Sequence, residues 1–466
     1  MGNPGPAGKE IEINNHYMTI GGKPVLPVMG EVHYVRYPKN EWQDILLKMK
    51  ANGIDIVSTY VFWIYHEEIE GQFDWSGNRD LRAFLKLCQK DGLHVFVRIG
   101  PWCHGEVRNG GFPDWLLQKK YIHPRSNDPV FQHYVKQYFH QIGLQMKGLM
   151  YKDGGPVIGI QLENEYSGGS QGEKYIMWLK KTAIADGMDV PMYTVTGWGN
   201  ASIPKDQVIP LWGGYPGAPW NPNLKKITDS QSFVFGDLRS SGNIFQGKTG
   251  NGYHPDTKIY PFFTVEMGVG NEITYHRRPV FSGIDGLSIA ITRLGSGASL
   301  LGYYMFAGGA DQVGTLTTLE EDRRNTGYWN RYPIISYDFQ AAIRETGELA
   351  PSYYQIKKLH YFVNEFGSRL APMMPVIGPQ TDPHKNLLYS VRSNGESGYV
   401  FGVNYYRGFQ KPTQKDVQFD IRLKGQRVKF PATPVNIPDS CDFIWPFNFH
   451  MNKVLLKYAT AQPLCR

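Results

Sequence analysis

The sequence contains no long hydrophobic run and few cysteines. None of its 466 residues falls in an apolar stretch of the roughly 18 residues that a membrane-spanning helix needs, so we expect no membrane span. The four cysteines, Cys88, Cys103, Cys441 and Cys465, lack metal-ligand spacing and are too few for a disulfide framework in so long a chain. We therefore expect neither a metal site nor a disulfide scaffold.

Clustered positive charge is also missing. The net charge is +7, yet lysine and arginine are interspersed with acidic residues, so we expect no nucleic-acid partner. Aromatic residues, in contrast, make up 14% of the chain, with 11 Trp and 29 Tyr. Such rings stack well on the C–H faces of sugars, and they also fill protein cores. Both interpretations stay open at this stage.

The N-terminus lacks the apolar segment of a signal peptide. Its first ten residues, MGNPGPAGKE, are rich in glycine and proline, and the stretch that follows predicts a hairpin with Gly21 and Gly22 at its turn. We interpret residues 1–26 as an N-terminal leader and hairpin, and we expect that a signal peptide has been removed.

From residue 27 onward, short apolar runs alternate with amphipathic helices. Helices are expected to end at Gly53, Gly92 and Gly187, each just before the next apolar run. This alternation predicts parallel strands joined by crossover helices, hence an α/β fold with a (β/α)₈ TIM barrel over residues 27–368. A doubly wound sheet is the alternative, but no glycine-rich phosphate loop follows the first strand.

The composition changes after the barrel. Residues 369–466 show alternating patterns with turns at Asn-Gly and Lys-Gly, which predicts an antiparallel β-rich C-terminal domain. Because these residues hold few strands, we expect a partial β domain that belongs to a larger β region. Within the barrel, the loop after residue 197 offers four aromatic residues that we interpret as either a sugar-binding rim or a self-packed loop: Trp198, Trp212, Tyr215 and Trp220.

Glutamates end several of the apolar runs. Glu31, Glu106, the segment 163–165 and Glu266 each close a predicted strand, and catalytic groups of barrel enzymes lie at those carboxyl ends. A lone Glu after a strand is more often a capping or ion-paired residue. The joint pattern, Asn-Glu ending the fourth strand and Glu ending a strand three further on, favours glycoside hydrolysis, which needs one protonated and one ionised carboxyl group.

Residues 24 to about 365 resemble glycoside hydrolase family 35, a β-galactosidase family with a retaining mechanism and a (β/α)₈ barrel. The stretches that carry the resemblance occur in family order and cover most of the barrel: GEVHYVRYPKNEWQDILLKMKANGIDIVSTYVFWIYHE, FVRIGPWCHGEVRNGGFPDWLL, IGIQLENEY, YYMFAGG and SYDFQAAIRETGE.

The resemblance implies a role for each matched residue. Glu165 is implied to be the acid/base and Glu266 the nucleophile. Asn164 is implied to hold the sugar 2-hydroxyl, and Glu163 we interpret as a structural ion-pair partner. The residues implied to bind the terminal sugar are Tyr60, Gly105 (through its backbone), Glu106, Asn164 and Tyr304. Tyr60 and Tyr304 have an alternative interpretation as tyrosines of the barrel core.

The sequence departs from the family pattern near the implied nucleophile. TVEMGVGNEITYHRRP replaces the usual aromatic and Gly-Trp residues, with a basic loop at 276–278, and Phe339 stands where a tyrosine is usual. The family's MFxGGTN stretch is changed at Ala307, Ala310 and Asp311. A lost hydroxyl alters sugar discrimination more than it alters chemistry.

The leading hypothesis is therefore an exo-β-galactosidase acting on oligosaccharides or polysaccharides. Another exo-β-glycosidase, for glucosamine or a modified galactose, is the first alternative, and a non-catalytic carbohydrate-binding barrel is the second. No cofactor or metal is expected, because carboxyl groups supply both proton transfer and covalent catalysis. We expect a secreted or periplasmic location.

Overall fold

The computed structural model describes residues 2–3, 5–195, 201–220, 230–237, 239, 256–322, 331–451 and 453–465. Eight parallel strands close into a barrel, which confirms the predicted fold class. In chain order these strands are β5 (Val28–Glu31), β6 (Ile56–Tyr60), β7 (His94–Gly100), β8 (Val157–Leu162), β9 (Met192–Val195), β10 (Ile209–Gly214), β11 (Thr264–Met267) and β12 (Leu301–Tyr303). The ring closes where β12 pairs with β5 and β9 pairs with β10.

Helices surround this barrel. They are α1 (Trp42–Asn52), α2 (Trp63–His66), α3 (Leu81–Lys90), α4 (Asp114–Leu117), α5 (Pro129–Met146), α6 (Gly169–Ala185), α7 (Gly283–Gly295) and α8 (Pro351–Leu370). Their ends follow local sequence rules: Asp80 and Asp128 accept hydrogen bonds from the first backbone N–H groups of α3 and α5. Gly53, at the end of α1, is left-handed with φ 95°, as expected for a glycine cap.

A small N-terminal sheet covers the amino-terminal end of the barrel. It comprises β1 (Gly2–Asn3), β2 (Ile11–Ile13), β3 (Met18–Ile20) and β4 (Lys23–Val25). The predicted hairpin is present between β3 and β4, with Gly21 and Gly22 at positive φ in the turn. Ile11, Ile13 and Met18 join the apolar side chains inside the barrel in one buried cluster, so burial of these side chains holds the sheet in place.

Strand β10 lies where the sequence analysis placed an aromatic loop, and that interpretation was wrong for Trp212. This residue is buried in the barrel wall as part of the sixth strand. The strand was missed because its sequence, IPLWGG, contains proline and two glycines. Gly213 is opposite Glu266 at a register irregularity, and a Cβ there would lie 2.5 Å from the Glu266 carbonyl oxygen. Close approach of two backbones explains that glycine.

The C-terminal residues form two antiparallel sheets. One has the order β13 (Met374–Ile377), β14 (Leu388–Ser393), β15 (Gly398–Asn404), β18 (Cys441–Met451) and β19 (Val454–Tyr458). The other is a hairpin of β16 (Gln414–Leu423) and β17 (Gln426–Ile437). Aromatic side chains, including Phe419, Phe430 and Trp445, form the core between the two sheets.

Buried Arg392 joins this β region to the barrel helices. Its guanidinium donates to the carbonyl oxygen of Leu294, in the last turn of α7, and to that of Ala298, three residues after the helix, both at 2.9 Å. It also donates to Met373 at 2.8 Å and to Leu370, the last residue of α8, at 2.9 Å. Helix ends leave carbonyl groups without intrahelical partners, and a cation there is favourable.

Candidate active site

A cavity of about 580 Å³ opens at the carboxyl ends of the barrel strands. This is the edge at which barrel enzymes place their catalytic groups. The residues that line it are Tyr60, His104, Gly105, Glu106, Asn164, Glu165, Tyr215, Trp220, Glu266, Asn271, Glu272, Tyr304, Tyr332 and Phe339. All seven site residues predicted from the sequence are in this set.

Glu165 and Glu266 face this cavity from opposite parts of the barrel. Glu165 follows β8, the fourth barrel strand, with a left-handed φ of 47°, and Glu266 lies within β11, the seventh. Burial raises the pKa of Glu266 to about 7, the Glu165 charge adds to that rise, and the Arg98 guanidinium opposes it. Burial and a neighbouring negative charge both favour the protonated form of a carboxyl group.

Arg98, on β7, organises the polar floor of the cavity. The side chain is fully buried and contacts Glu266 Oε1 through Nη2. The same nitrogen donates to Asn164 Oδ1 at 3.2 Å, while Nη1 donates to Glu31 Oε2 at 3.1 Å and Nε donates to Gln161 Oε1 at 2.9 Å. A planar guanidinium can hold several acceptors at once, because its N–H donors point in fixed directions. Arg98 thus fixes two of the predicted site residues relative to each other.

A buried polar chain continues from Glu31 behind the cavity. His33 Nε2 lies 3.3 Å from Glu31 Oε1, and His33 Nδ1 is 2.7 Å from Arg36 Nη1. Burial lowers the pKa of His33 to about 3, although Glu31 opposes that shift, so the ring is neutral at ordinary pH. Arg36 then pairs with Asp311 at 2.7 Å and donates to the Gly105 carbonyl oxygen at 2.9 Å. Asp311, one of the departures from the family pattern, therefore anchors the arginine that supports Gly105.

The loop after β7 carries Gly105 and Glu106. His104, Gly105 and Glu106 all have positive φ, at 60°, 58° and 47°. At Gly105 a Cβ would meet the Phe62 ring at 2.7 Å, so both conformation and space require glycine. Glu106 Oε2 accepts hydrogen bonds from Tyr337 and, at 3.2 Å, from Tyr304. These contacts hold the Glu106 carboxyl group in the cavity wall.

The Tyr60 ring packs against the Arg98 guanidinium. The ring is 1% exposed, with Arg98 Cζ 3.8 Å from its centroid. Its hydroxyl is buried and has no hydrogen-bond partner among the residues that the structure describes. A buried hydroxyl without a partner is costly, so a polar group of a bound molecule would be a favourable partner.

Glu163 faces away from the cavity, in agreement with the ion-pair role expected from the sequence. Its carboxylate pairs with Arg125 at 2.9 Å and accepts a hydrogen bond from Tyr175 at 2.8 Å. Arg125 also donates to the Asn164 carbonyl oxygen at 2.7 Å. The pair therefore holds the backbone between Glu163 and Glu165.

Two of the predicted rim aromatics line the cavity. Tyr215 and Trp220 meet edge to face at 5.4 Å, and the Phe339 ring lies 6.4 Å from Tyr215. Trp198 lies outside the described residues, and Trp212 belongs to β10, as stated above. Phe339 also meets the Tyr304 ring edge to face at 5.3 Å. Of the three loop aromatics that the structure describes, two thus line the cavity and one does not.

Four lining residues were missed by the sequence analysis: His104, Asn271, Glu272 and Tyr332. Glu272 follows β11 by five residues, so a search for the residues that end strands does not find it. The signal that is present is the unusual segment after Glu266, which the sequence pattern indicates as a loss of aromatic residues and the gain of a basic loop at 276–278. The basic side chains at 276–278 are not among the described lining residues.

Among the helices of the described ranges, none combines the length and apolarity needed to cross a membrane. Within the same ranges, no group of three or more His, Cys, Asp and Glu side chains is arranged to hold a metal ion.

Comparisons with solved structures agree with the fold. A β-galactosidase from the psychrophilic Marinomonas ef1 matches with a TM-score of 0.51 at 11% identity, covering 74% of this chain and 62% of that one. An exo-β-1,4-mannosidase from Opitutaceae bacterium strain TAV5 matches with a TM-score of 0.50 at 14% identity, covering 75% and 61%. At these identities the likeness concerns the fold alone.

Sequence comparisons are more specific. β-Galactosidase-1-like protein 3 of Mus musculus is 28% identical over 384 residues, covering 82% of this chain and 53% of the relative. β-Galactosidase of Macaca fascicularis is 31% identical over 358 residues, covering 75% and 47%. The chain spans about half the length of these curated relatives. The family model of glycosyl hydrolases family 35 matches residues 17–363, and the chain belongs to this family.

Proposed function

We propose that this protein is a retaining exo-β-galactosidase, which releases terminal β-galactose from oligosaccharides or polysaccharides. The observation that carries the proposal is the placement of Glu165 and Glu266 in one cavity, with Arg98 bound both to Glu266 and to Asn164. Family membership and the relatives named β-galactosidase support the sugar.

In the first step of the proposed mechanism, a Glu266 carboxylate oxygen attacks the anomeric carbon. Glu165 donates its proton to the glycosidic oxygen, and the bond to the leaving group breaks. The product is a glycosyl ester on Glu266. Arg98 donates to the Glu266 carboxylate, so it holds the nucleophile in a fixed direction and favours its ionised form.

In the second step, Glu165 takes a proton from water and the water oxygen attacks the same anomeric carbon. The ester bond breaks, the sugar leaves with its original β configuration, and both carboxyl groups return to their starting states. Asn164 is proposed to hold the sugar 2-hydroxyl, a contact that strengthens in the transition state. Tyr60, Gly105, Glu106 and Tyr304 are proposed to bind the remaining hydroxyl groups of the terminal sugar.

The stereochemistry of the product tests the mechanism. Hydrolysis of 4-nitrophenyl β-galactoside, followed by proton NMR from the first minute, is expected to show β-galactose before the α anomer appears by mutarotation. Appearance of the α anomer first would mean inversion and would reject the double-displacement mechanism.

Substitutions test the two roles. Glu266→Gln is expected to abolish turnover, and azide is expected to restore part of the activity of Glu266→Gly with an inverted azide product. The control is Glu67→Gln, because Glu67 is equally buried but bonds to Trp63 and Gly71 away from the cavity. Full activity in Glu266→Gln would show that the nucleophile is another group.

A further inference from the structure

The cavity contains one more carboxyl group than the proposed reaction requires. Four glutamates line it: Glu106, Glu165, Glu266 and Glu272. Two of them are assigned to the chemistry, and Glu106 has Tyr337 and Tyr304 as hydrogen-bond donors. No lysine or arginine is present among the described lining residues. Glu272 is therefore a buried acid whose purpose the proposed mechanism does not explain.

Glu272 is held in place, but only one of its carboxyl oxygens has a partner. The residue is 4% exposed. Its backbone N–H donates to Asn271 Oδ1 at 2.8 Å, and its Oε2 accepts from the Tyr332 hydroxyl. The other oxygen, Oε1, is buried and has no hydrogen-bond partner within the part of the chain that the structure describes. A carboxyl oxygen without a partner at a buried position costs free energy, which a bound donor would recover.

The charges around Glu272 are mostly negative. Burial raises the pKa of Glu272 well above its usual range, the Glu106 and Glu321 charges add to that rise, and the Tyr332 hydrogen bond and His104 oppose it. His104 itself lies between two other carboxylates, 3.6 Å from Glu321 Oε1 and 3.8 Å from Glu165 Oε2. An anionic sugar would be repelled by this surface. A cation would pair with Glu272 and would relieve the repulsion among the acids, because opposite charge favours the ionised form of a carboxyl group.

The position of Glu272 indicates which part of the substrate such a cation would occupy. Arg98 donates to Asn164, so on the side of the cavity where the 2-hydroxyl is proposed to bind, the carboxyl groups of Glu31 and Glu266 already have a cation as partner. Glu272 instead lines the cavity together with Glu106, which is proposed to bind the outer hydroxyls and whose charge raises the pKa of Glu272. A positive group is therefore favoured near Glu106 and disfavoured beside Asn164.

We propose that Glu272 binds an ammonium group of the substrate. The preferred substrate would then be a β-glycoside that carries a primary amine on the sugar edge facing Glu106, or on the leaving group next to that edge. This inference rests on the proposed glycosidase function and adds a class of substrate to it. Glu272 is the residue that recognises the amine, through a charge-assisted hydrogen bond to Oε1.

Matched pairs of substrates test this proposal. For the sugar, 4-nitrophenyl 6-amino-6-deoxy-β-galactoside is compared with 4-nitrophenyl β-galactoside, and the 2-amino-2-deoxy compound serves as a positional control. For the leaving group, 2-aminoethyl β-galactoside is compared with 2-hydroxyethyl β-galactoside. In the wild type, kcat/KM is expected to favour the amine of one pair by about tenfold or more, and the favoured pair locates the ammonium group.

The variant Glu272→Gln keeps an oxygen that can accept from Tyr332 but cannot become a carboxylate when a cation binds. Its preference for the amine, expressed as the ratio within the pair, is expected to fall about tenfold. Glu320→Gln is the matched control, because Glu320 is also a buried acid but does not line the cavity, and its ratio is expected to equal that of the wild type. A wild-type ratio of one or less in both pairs, or an unchanged ratio in Glu272→Gln, would overturn the proposal.

Measurements of binding distinguish failure of this inference from failure of the proposed function. If no substrate is hydrolysed, the glycosidase proposal is wrong, and calorimetry on Glu266→Gln then decides the amine proposal. Tighter binding of an amine compound than of its neutral partner, lost when Glu272→Gln is added and weakened by salt, would support it. Equal binding of both compounds would reject it.

Discussion

At the scale of single residues, the charge of Glu165 acts on the Glu266 carboxyl group. Removing the charge of Glu165 should lower the pKa of Glu266, because a neighbouring carboxylate disfavours ionisation. Covalent labelling with 2,4-dinitrophenyl 2-deoxy-2-fluoro-β-galactoside reports this pKa directly, since its leaving group needs no acid. In the wild type the labelling rate is expected to fall below a midpoint at about pH 7.

In Glu165→Gln this midpoint is expected to move to lower pH, by on the order of one unit. The sign follows from the raised pKa: Glu266 must lose its proton to attack, so a lower pKa extends labelling toward acid. Glu67→Gln again serves as the control. A midpoint that stays in place or moves toward alkaline pH would show that the two groups are not coupled as described.

Gly105 allows a steric and a conformational effect to be separated. Gly105→Ala should reduce both stability and kcat/KM, because φ is 58° and the new methyl group would meet the Phe62 ring. Gly77→Ala is the matched control, since Gly77 has φ 56° but no atom within 4 Å of the Cβ position. It should lose only about 1–2 kcal/mol of stability and no activity. If Gly105→Ala and Gly77→Ala lose the same stability in chemical denaturation and the same kcat/KM, the steric explanation is contradicted.

The sequence predicted the residues at strand ends better than those in loops. Glu165 and Glu266 could be found because period and strand order fix where a carboxyl end must lie. Glu272 and Tyr332 could not be found in this way, because the hydrogen bond between them depends on how two loops fold over the barrel mouth. His33 and Arg36 are similar: their hydrogen-bonded chain to Asp311 joins residues separated by 275 positions.

At the scale of elements, alternation of apolar runs and helices predicted most of the barrel. Strand β10 is the exception. Its backbone approaches β11 so closely at Gly213 that only glycine fits there, although glycine is a poor strand-forming residue. The glycine helix caps, in contrast, were predictable from local conformation alone. Local sequence signals therefore suffice where an element's own backbone conformation decides the residue. They fail where contact with a neighbouring strand decides it.

Helix α8 contacts the barrel through buried His360, which gives this packing a pH dependence. His360 Nδ1 is 2.7 Å from Asn52 Oδ1 and Nε2 is 2.8 Å from the Tyr303 hydroxyl. Burial lowers the pKa of His360 to about 3. The unfolded chain therefore binds a proton below about pH 6.5 that the folded protein does not, so stability is lost as pH falls from 6.5 toward 3.

His360→Gln should be less stable than the wild type at pH 7, because the two ring contacts are weakened. The gap between variant and wild type should shrink by about 2 kcal/mol between pH 6.5 and pH 5, since glutamine has no proton to gain. Urea denaturation at each pH measures this difference. His133→Gln, at an exposed position on α5, is the control. If the difference in stability between His360→Gln and the wild type stays constant with pH, the explanation is refuted.

At the scale of the whole molecule, the barrel and the C-terminal sheets are joined by polar contacts as well as by apolar ones. The sequence predicted a change from barrel to β structure near residue 368, but it gave no sign that Arg392 connects the two. That arginine lies in an ordinary alternating strand. Its function depends on the ends of α7 and α8 meeting at one point, which only the folded chain brings about.

Arg392→Met should therefore destabilise the protein by several kcal/mol, because each carbonyl oxygen left buried without a donor costs about 1–3 kcal/mol. Methionine fills similar space but leaves five carbonyl oxygens at or just after the ends of α7 and α8 without their donor. Differential scanning calorimetry should show a lower Tm, and the C-terminal sheet should become sensitive to protease before the barrel. Arg422→Met, at an exposed position on β16, should keep the Tm of the wild type. If Arg392→Met unfolds at the wild-type temperature, apolar contacts alone hold the sheets to the barrel.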